Sequence, residues 1–317
     1  DSLKDFLERR ERGELTFQKL GLLKQNILKK VDLSASTDGW LHFGDTVMLV
    51  NPGWERRYNL RDLQKTPQDA VALSINANIN GLNPNTSIAA PCDVSGTRTL
   101  EPNARTAFVI TSVDGSSVGE TVRYSQSFAL RTTEGFAGGL YLSSEIRTLQ
   151  KNAKKSRLQE VTLTDEASFL TQWQVLYFDP QERLEYEGLP VPVNQKVIIA
   201  HCKTNQCLAV LGNHILWTSY GKEYEVVAHT CLDSHKAECD ANHWLFATAN
   251  PGVEAQAIFD RTDPMANITT TENPDKQTME YNDDGVLLST QAAFRVLKPF
   301  VTEEPCVPYT LGLTKRV

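Results

Sequence analysis

The strongest constraint on the fold is a succession of short runs rich in β-branched and aromatic residues. They include LHFGDTVMLV, TAFVITSV, GGLYLSS, QWQVLYF, QKVIIAHC, YEVVAHT and HWLFATA, and they are separated by Gly, Asn and Asp. Successive runs lie about ten residues apart, which is typical of an all-β sandwich, barrel or trefoil. No long helical period interrupts them, so the pattern disfavours a fold of alternating strands and helices.

The N-terminal residues depart from this pattern. Residues 2–12 and 15–30 have apolar side chains at helical spacing, so we predict an amphipathic helix with a break at Gly13. Residues 1–31 hold eight Lys/Arg and five Asp/Glu, a net charge of +3, whereas the whole chain carries −7. Two interpretations stay open, because such a helix either packs on its own domain or docks as an arm on a partner.

Composition divides the 317-residue chain into three parts. We predict a helical arm at 1–31, a β-rich core at 32–250 and an acidic, partly irregular tail at 251–317. Within the core, residues 59–105 are rich in Asn, Pro, Thr and Ser. We predict a long, mostly irregular insertion there, with one strand at Ala70–Ile79.

Charge and hydropathy argue against several classes of partner. The net charge of −7 disfavours nucleic acid as the main partner. No apolar run approaches the ~18 residues that cross a bilayer, and DSLKDFLERRER at the start is charged where a secretory signal would be apolar.

Six cysteines in a chain of this length do not require a disulfide framework, so we expect free thiols in a reducing compartment.

One hydrolase-like motif, GSSVG, occupies residues 115–119 and matches G-x-S-x-G around Ser117. A nucleophile elbow requires a strand-to-helix turn. Here the motif follows Asp114 and joins the β-patterned runs 106–113 and 120–132, which we predict to form a hairpin. The context therefore disfavours a serine hydrolase.

Four possible zinc ligands are spaced four residues apart, namely Cys231, His235, Cys239 and His243. On one straight helix they would extend over about 18 Å, too far for one ion with ligands at about 2.0–2.3 Å. A folded-back loop could unite them and add His201, Cys202 and Cys207. The C-x₂-C spacing of common structural sites is missing, so we favour buried thiols and hydrogen-bonded histidines, and we predict no metal or cofactor.

Residues 147–157 contain five basic residues and no acids. Such a run is usually solvated, and the functional alternative is contact with an acidic protein surface. It lacks interleaved aromatic residues, so it is a poor nucleic-acid site. The candidate protein-contact residues of the chain are Arg9, Arg10, Arg12, Arg147, Lys151, Lys154, Lys155 and Arg157.

Several stretches together resemble one family. They are LSASTDGWLHFGDTVMLVNP at 33–52, LYLSSEIRTLQKNAKKSRLQEVTLTDE at 140–166, YFDPQERLEYEGLPVPVN at 177–194, AHCKTNQCLAV at 200–210 and YGKEYEVVAHTCLDSHKAECDANHWLF at 220–246. In this order they resemble the cilia- and flagella-associated protein 161 family. The resemblance implies a structural microtubule inner protein without catalytic activity or cofactor. It implies a place in the A-tubule lumen of the axonemal doublet of a cilium or flagellum. There the protein would contact tubulin and other inner proteins and stabilise the lattice for motility.

A second resemblance concerns the fold. The stretch FGDTVML at 43–49 is similar to the opening strand of MIR repeats, which form β-trefoils. Residues 124–130 and 196–201 match it as the strands of two further lobes, although only the first copy has the Gly-Asp pair. We therefore expect an all-β, β-trefoil-like (MIR-like) core with an N-terminal amphipathic helix and a partly irregular C-terminal tail.

Two other functions stay open. A MIR-like module would bind a sugar or an inositol phosphate in a pocket between lobes, lined with Arg, Lys or aromatic residues. A hydrolase would need the Ser117 hydroxyl hydrogen-bonded to a histidine.

Overall fold

The computed structural model of the chain describes residues 2–53, 70–79 and 82–249. Two helices come first, α1 (Ser2–Glu11) and α2 (Thr16–Ile27). Gly13 lies between them with φ +70°, a left-handed backbone that glycine adopts without strain. The predicted amphipathic N-terminal helix with a break at Gly13 is confirmed, whereas the predicted tail at 251–317 lies outside the described residues.

Twelve strands follow within these residues. They are β1 (Thr46–Asn51), β2 (Val71–Asn76), β3 (Cys92–Thr97), β4 (Ala107–Ser112), β5 (Ser127–Thr132), β6 (Tyr141–Ser144), β7 (Gln159–Thr164), β8 (Trp173–Tyr177), β9 (Val197–His201), β10 (Leu208–Thr218), β11 (Gly221–Ala228) and β12 (His243–Ala247). A short helix, α3 (Arg183–Tyr186), and 3₁₀ turns at Gly135–Ala137, Phe169–Thr171 and Asp240–Asn242 complete the elements. Among the described helices, none has the length and apolar character needed to cross a bilayer.

Six of the strands close a ring. β1 pairs with β4, β4 with β5, β5 with β8, β8 with β9, β9 with β12 and β12 with β1, all antiparallel. The other six form the hairpins β2–β3, β6–β7 and β10–β11, and β3, β7 and β11 also pair with one another. A six-stranded barrel capped by three hairpins is a β-trefoil, with lobes β1–β4, β5–β8 and β9–β12. The predicted trefoil-like, all-β core is confirmed.

Backbone hydrogen bonds show the threefold relation directly. The N–H of Leu41 donates to the C=O of Val191 at 2.9 Å, that of Val122 to Leu41 at 2.8 Å, and that of Val191 to Val122 at 2.9 Å. The three bonds close a triangle, one residue from each lobe entry. All three residues are fully buried, so each lobe entry satisfies the next without water.

Each lobe enters its first strand through one residue with a left-handed backbone. These are Gly44 at φ +93°, Ser125 at +66° and Asn194 at +57°. The N–H of each donates to the last strand of its own lobe, at 2.7, 2.8 and 3.0 Å respectively. Ser125 and Asn194 therefore occupy the place of the glycine in the Gly-Asp pair, which the sequence showed in the first copy alone.

Large aromatic side chains fill the barrel at equivalent positions. Phe108, Trp173 and Trp244 are fully buried on the last strands of their lobes, opposite Val47, Phe128 and Val197. The indole N–H of Trp173 donates to the C=O of Leu142, and that of Trp244 to Leu208, both at 2.9 Å. Each indole thus buries its apolar area with its donor satisfied, and it ties the barrel to a cap hairpin.

The structure corrects one interpretation. The sequence predicts that residues 59–105 are mostly irregular, with one strand at Ala70–Ile79, and β2 lies within that range. The segment also contains β3, and β3 pairs with β2, β7 and β11. Its sequence, CDVSGT, has low intrinsic β propensity, so three neighbouring strands rather than its own residues make it a strand.

Candidate protein-contact surfaces

Five of the predicted contact residues lie on the loop between β6 and β7, at 145–158, here called the basic loop. This loop is held from inside the molecule. The carboxylate of Glu225 on β11 is buried and accepts the backbone N–H of Lys155 at 2.7 Å and of Ser156 at 2.8 Å. Ala153 is buried in a small apolar cluster beside these contacts. The loop therefore presents its side chains from a defined backbone.

Two of the loop's cations are already paired within the molecule. Lys151 forms an ion pair with Glu145, and the Nζ of Lys154 lies 2.5 Å from Oδ2 of Asp93. Both lysines are exposed, so each pair contributes little to stability. The two ion pairs nevertheless neutralise part of the positive charge that we predicted to contact an acidic partner.

The remaining three basic side chains are exposed, and among the described residues they form no ion pair. Arg147 and Arg157 hydrogen-bond only to backbone and amide oxygens, at 3.4 and 3.2 Å. Leu149 is fully exposed between them in sequence, and Ile146 is half exposed. An ordered loop that combines unpaired Arg with exposed apolar side chains has the composition of a protein-contact surface.

Of the two N-terminal helices, α2 packs on its own domain, whereas α1 has the exposed apolar surface expected of an arm that docks on a partner. Leu23 and Ile27 of α2 are buried, and Ile27 belongs to the main core, so α2 packs on the trefoil. On α1, Leu3 and Phe6 are exposed. Exposed apolar residues of this segment are Leu3, Phe6, Phe17, Leu22 and Leu28. α1 therefore presents apolar surface that its own domain leaves uncovered.

Two of the three predicted contact arginines in and just after α1 have local partners. Arg9 pairs with Asp5 at 3.1 Å and Arg12 with Glu8 at 3.6 Å, each one helical turn away. Such exposed pairs are worth about 0.3–0.5 kcal/mol, so a partner's carboxylate can compete for these guanidinium groups. The role of Arg9, Arg10 and Arg12 in contacts stays a prediction.

Ser117 lies on the loop between β4 and β5. Its backbone N–H donates to the carboxylate of Glu120 at 2.9 Å. Among the described residues, no histidine hydrogen-bonds to it. The motif joins two strands, so the strand-to-helix turn of a nucleophile elbow is replaced by a hairpin loop.

The possible zinc ligands are spread along one loop and the start of a strand. Cys231 and Cys239 face each other where the N–H of Cys239 donates to the C=O of Cys231 at 2.8 Å. His235 lies at the exposed end of that loop. His243 begins β12, where its Nδ1 is 3.2 Å from Asp240 and burial lowers its pKa. In residues 2–53, 70–79 and 82–249, no three His, Cys, Asp or Glu side chains are arranged to hold a metal ion.

Of the other three possible ligands, His201 and Cys207 are buried and Cys202 is half-buried. His201 is buried with its Nδ1 2.9 Å from the hydroxyl of Thr204, and burial lowers its pKa. Burial raises the pKa of the Cys207 thiol to about 11 and also raises that of Cys202. These groups favour their neutral forms, as expected for buried thiols and hydrogen-bonded histidine.

A cavity of about 350 Å³ opens where the three cap hairpins meet, here called the axial cavity. Each lobe contributes one carboxylate to its lining, from Asp93, Glu160 and Glu225, while Lys154 is the cation among the lining residues. Sequence reasoning missed this site because its residues lie on three distant strands. The available signal was a repeated acid–valine pair, in CDV, QEV and YEV.

Comparisons with known proteins agree on one family. A family model described as "Cilia- and flagella-associated protein 161-like domain" matches residues 19–249. The protein "Cilia- and flagella-associated protein 161" of Danio rerio is 55% identical over 262 residues, covering 82% of this chain and 85% of that protein. The protein of the same name in Mus musculus is 42% identical over 274 residues, covering 85% and 89%.

Two solved structures are similar at low identity. An SDF2-like protein from Arabidopsis thaliana has a TM-score of 0.45 and 14% identity, covering 68% of this chain and 99% of its own. A Caenorhabditis elegans protein of unknown function has a TM-score of 0.47 and 14% identity, covering 68% and 99%. Because these likenesses are distant, the trefoil assignment rests on the strand pairings alone.

Proposed function

Because this chain belongs to the cilia- and flagella-associated protein 161 family, we propose that it is a microtubule inner protein of ciliary and flagellar doublets. It binds the luminal face of the A-tubule, contacts tubulin and other inner proteins, and stabilises the lattice for motility. The observation that supports this proposal is the family match, which spans 19–249 and so includes the whole trefoil and most of α2.

The architecture suits a structural role on a repeating lattice. A ring of six paired strands leaves the barrel without a free edge, so partners do not bind it by adding a strand. Contacts project from this body as the basic loop and α1. A polymer wall presents many neighbours at once, so each contact can be weak while overall retention is strong.

The proposal includes no catalytic activity and no cofactor. The Ser117 hydroxyl would need a base to become a nucleophile. The Glu120 carboxylate instead accepts the backbone N–H of Ser117. The alternative of an inositol phosphate site loses support from the axial cavity. Three carboxylates face one lysine in its lining, and such a surface repels phosphate.

Localisation of the tagged chain in axonemes tests this proposal. We expect subtomogram averages of doublets to show its density on the inner face of the A-tubule, and we expect it to stay with the doublets after a salt wash that releases dyneins. Density confined to the outer surface, or release together with the dyneins, would contradict the proposal.

The basic loop supplies a sharper test. The variant Arg147→Glu/Lys155→Glu/Arg157→Glu should reduce axonemal occupancy roughly tenfold, since three reversed charges each oppose an acidic partner. The control Lys203→Glu/Lys222→Glu/Lys236→Glu makes the same charge change at exposed lysines elsewhere and should keep its occupancy. Equal occupancy of the two variants would remove the basic loop from the interface.

A further inference from the structure

The axial cavity is built from the same register position of all three lobes. Asp93, Glu160 and Glu225 each precede a valine that also lines it, on β3, β7 and β11. Three strands that pair with one another thus each present one carboxylate toward a cavity of about 350 Å³. This volume is at the lower end of the range for ligand sites and has room for one long side chain.

The three carboxylates are unequally satisfied. Both oxygens of Glu225 accept backbone N–H groups of the basic loop. Asp93 has the ammonium of Lys154 at 2.5 Å. Within the described chain, no donor hydrogen-bonds to the Glu160 carboxylate, and burial together with the charge of Asp93 raises its pKa. The cavity therefore holds more negative charge than its lining neutralises.

Two further residues indicate what the cavity accepts. Lys154 shows that an ammonium group on an aliphatic stem fits against its wall. Trp217, on the β10 end of the lining, is 81% exposed. An indole face is the best aromatic partner for a cation, and an exposed Trp beside a charged recess is a typical anchor for a protein partner.

We propose that the axial cavity is a docking site for one lysine or arginine side chain of a partner protein. The cation enters beside Lys154, pairs with the carboxylate of Glu160 and is covered by the indole of Trp217. This site is separate from the basic loop's exposed arginines, and its existence does not depend on the doublet proposal. The two surfaces have opposite charge and so select different partners.

Titration of the purified full chain with the peptide acetyl-Gly-Arg-Gly-amide tests this. The reporter is the indole N–H resonance of Trp217, assigned by its loss in Trp217→Phe. We expect a saturable shift with Arg and with the corresponding Lys peptide, and none with the citrulline peptide, which keeps the shape without the charge. Binding should weaken at least about fivefold in Glu160→Gln, since a charge-assisted pair becomes neutral.

Two other variants complete the design. Lys154→Met should strengthen peptide binding several-fold, because it frees Asp93 for the incoming cation. Glu182→Gln removes an exposed acid that does not line the cavity, and its affinity should match the original chain. The proposal is overturned if the citrulline peptide binds equally, if Glu160→Gln and Lys154→Met leave affinity unchanged, or if mannose or calcium ions shift Trp217 while the Arg peptide does not.

Discussion

Replacing Glu223 by Gln tests the buried ion pair that joins the first and third lobes. Arg105 precedes β4 and Glu223 is on β11, and the two side chains are 4% and 2% exposed. Nη2 of Arg105 lies 2.6 Å from Oε1 of Glu223, and the guanidinium lies 3.6 Å from the ring centre of Tyr220. The hydroxyls of Ser95 and Thr218 donate to Oε2 of Glu223 at 2.7 and 3.0 Å.

The expected loss in free energy of unfolding for Glu223→Gln follows from these contacts. Removing one partner of a buried pair costs about 3–5 kcal/mol, because the other charge stays buried without compensation. Gln keeps the volume and one acceptor for Arg105, and the two hydroxyls can rotate to accept its N–H groups. We therefore expect the low end, about 3 kcal/mol, which corresponds to a fall in Tm of about 6–12 °C for a domain of this size.

Urea unfolding followed by far-UV circular dichroism gives the measurement, with the m-value checked for constancy. The exposed pair of Arg9 and Asp5 gives the control, and Asp5→Asn should cost less than about 0.5 kcal/mol. The double variant Arg105→Met/Glu223→Gln should be no less stable than Glu223→Gln, so the coupling energy should be at least the cost of Arg105→Met alone, about 3 kcal/mol. A cost below about 1 kcal/mol for Glu223→Gln, or additive effects, would refute the reasoning.

Three further predictions use the same unfolding assay or the axoneme assay. Gly44→Ala should cost about 1–2 kcal/mol, because the left-handed backbone disfavours a Cβ; the new Cβ would lie 2.6 Å from Cγ1 of Val118, an exposed side chain that can turn away. Ser125→Gly, at the equivalent position, should be neutral or stabilising, and the reverse order would contradict the lobe equivalence. Burial lowers the pKa of His201, so its folded value lies below its unfolded value. The stability that this group contributes should be complete above pH ~6.5 and should fall as pH decreases below it. His201→Gln should reduce the fall in the free energy of unfolding between pH 7 and 5.5. An unchanged dependence of that free energy on pH would exclude His201 as its source. Phe6→Ser should leave stability within about 0.5 kcal/mol, since Phe6 is 47% exposed; it should reduce retention on doublets, and full retention would argue against α1 as a contact.

The period-two pattern predicted most of the barrel because its strands bury β-branched and aromatic side chains. β3 escaped prediction since Cys92, Ser95 and Gly96 have little preference for extended structure, and its pairing with three other strands is decided in the folded state. The second and third lobe entries escaped for a related reason. Ser125 and Asn194 adopt the left-handed backbone without being glycine, so no motif marks them.

The surfaces were predicted in part. The sequence alone showed the basic run at 147–157, and the structure places it on the loop between β6 and β7. That Lys151 and Lys154 are paired depends on Glu145 and on Asp93, which is far away in the chain, and sequence spacing does not report such distances. The axial cavity depends on three strands brought together by the threefold symmetry, so composition alone gave no sign of it.

The pairing of β1 with β12 also has a consequence for synthesis of the protein. Met48 lies opposite Ala247, so the ring cannot close until the last strand has left the ribosome. Until then the nascent trefoil has two unpaired borders that other chains can bind, and folding waits on a contact between the ends of its sequence. A premature stop codon before residue 243 would make that open state permanent. Such truncations should be recovered as aggregates or degradation products rather than as shortened functional proteins.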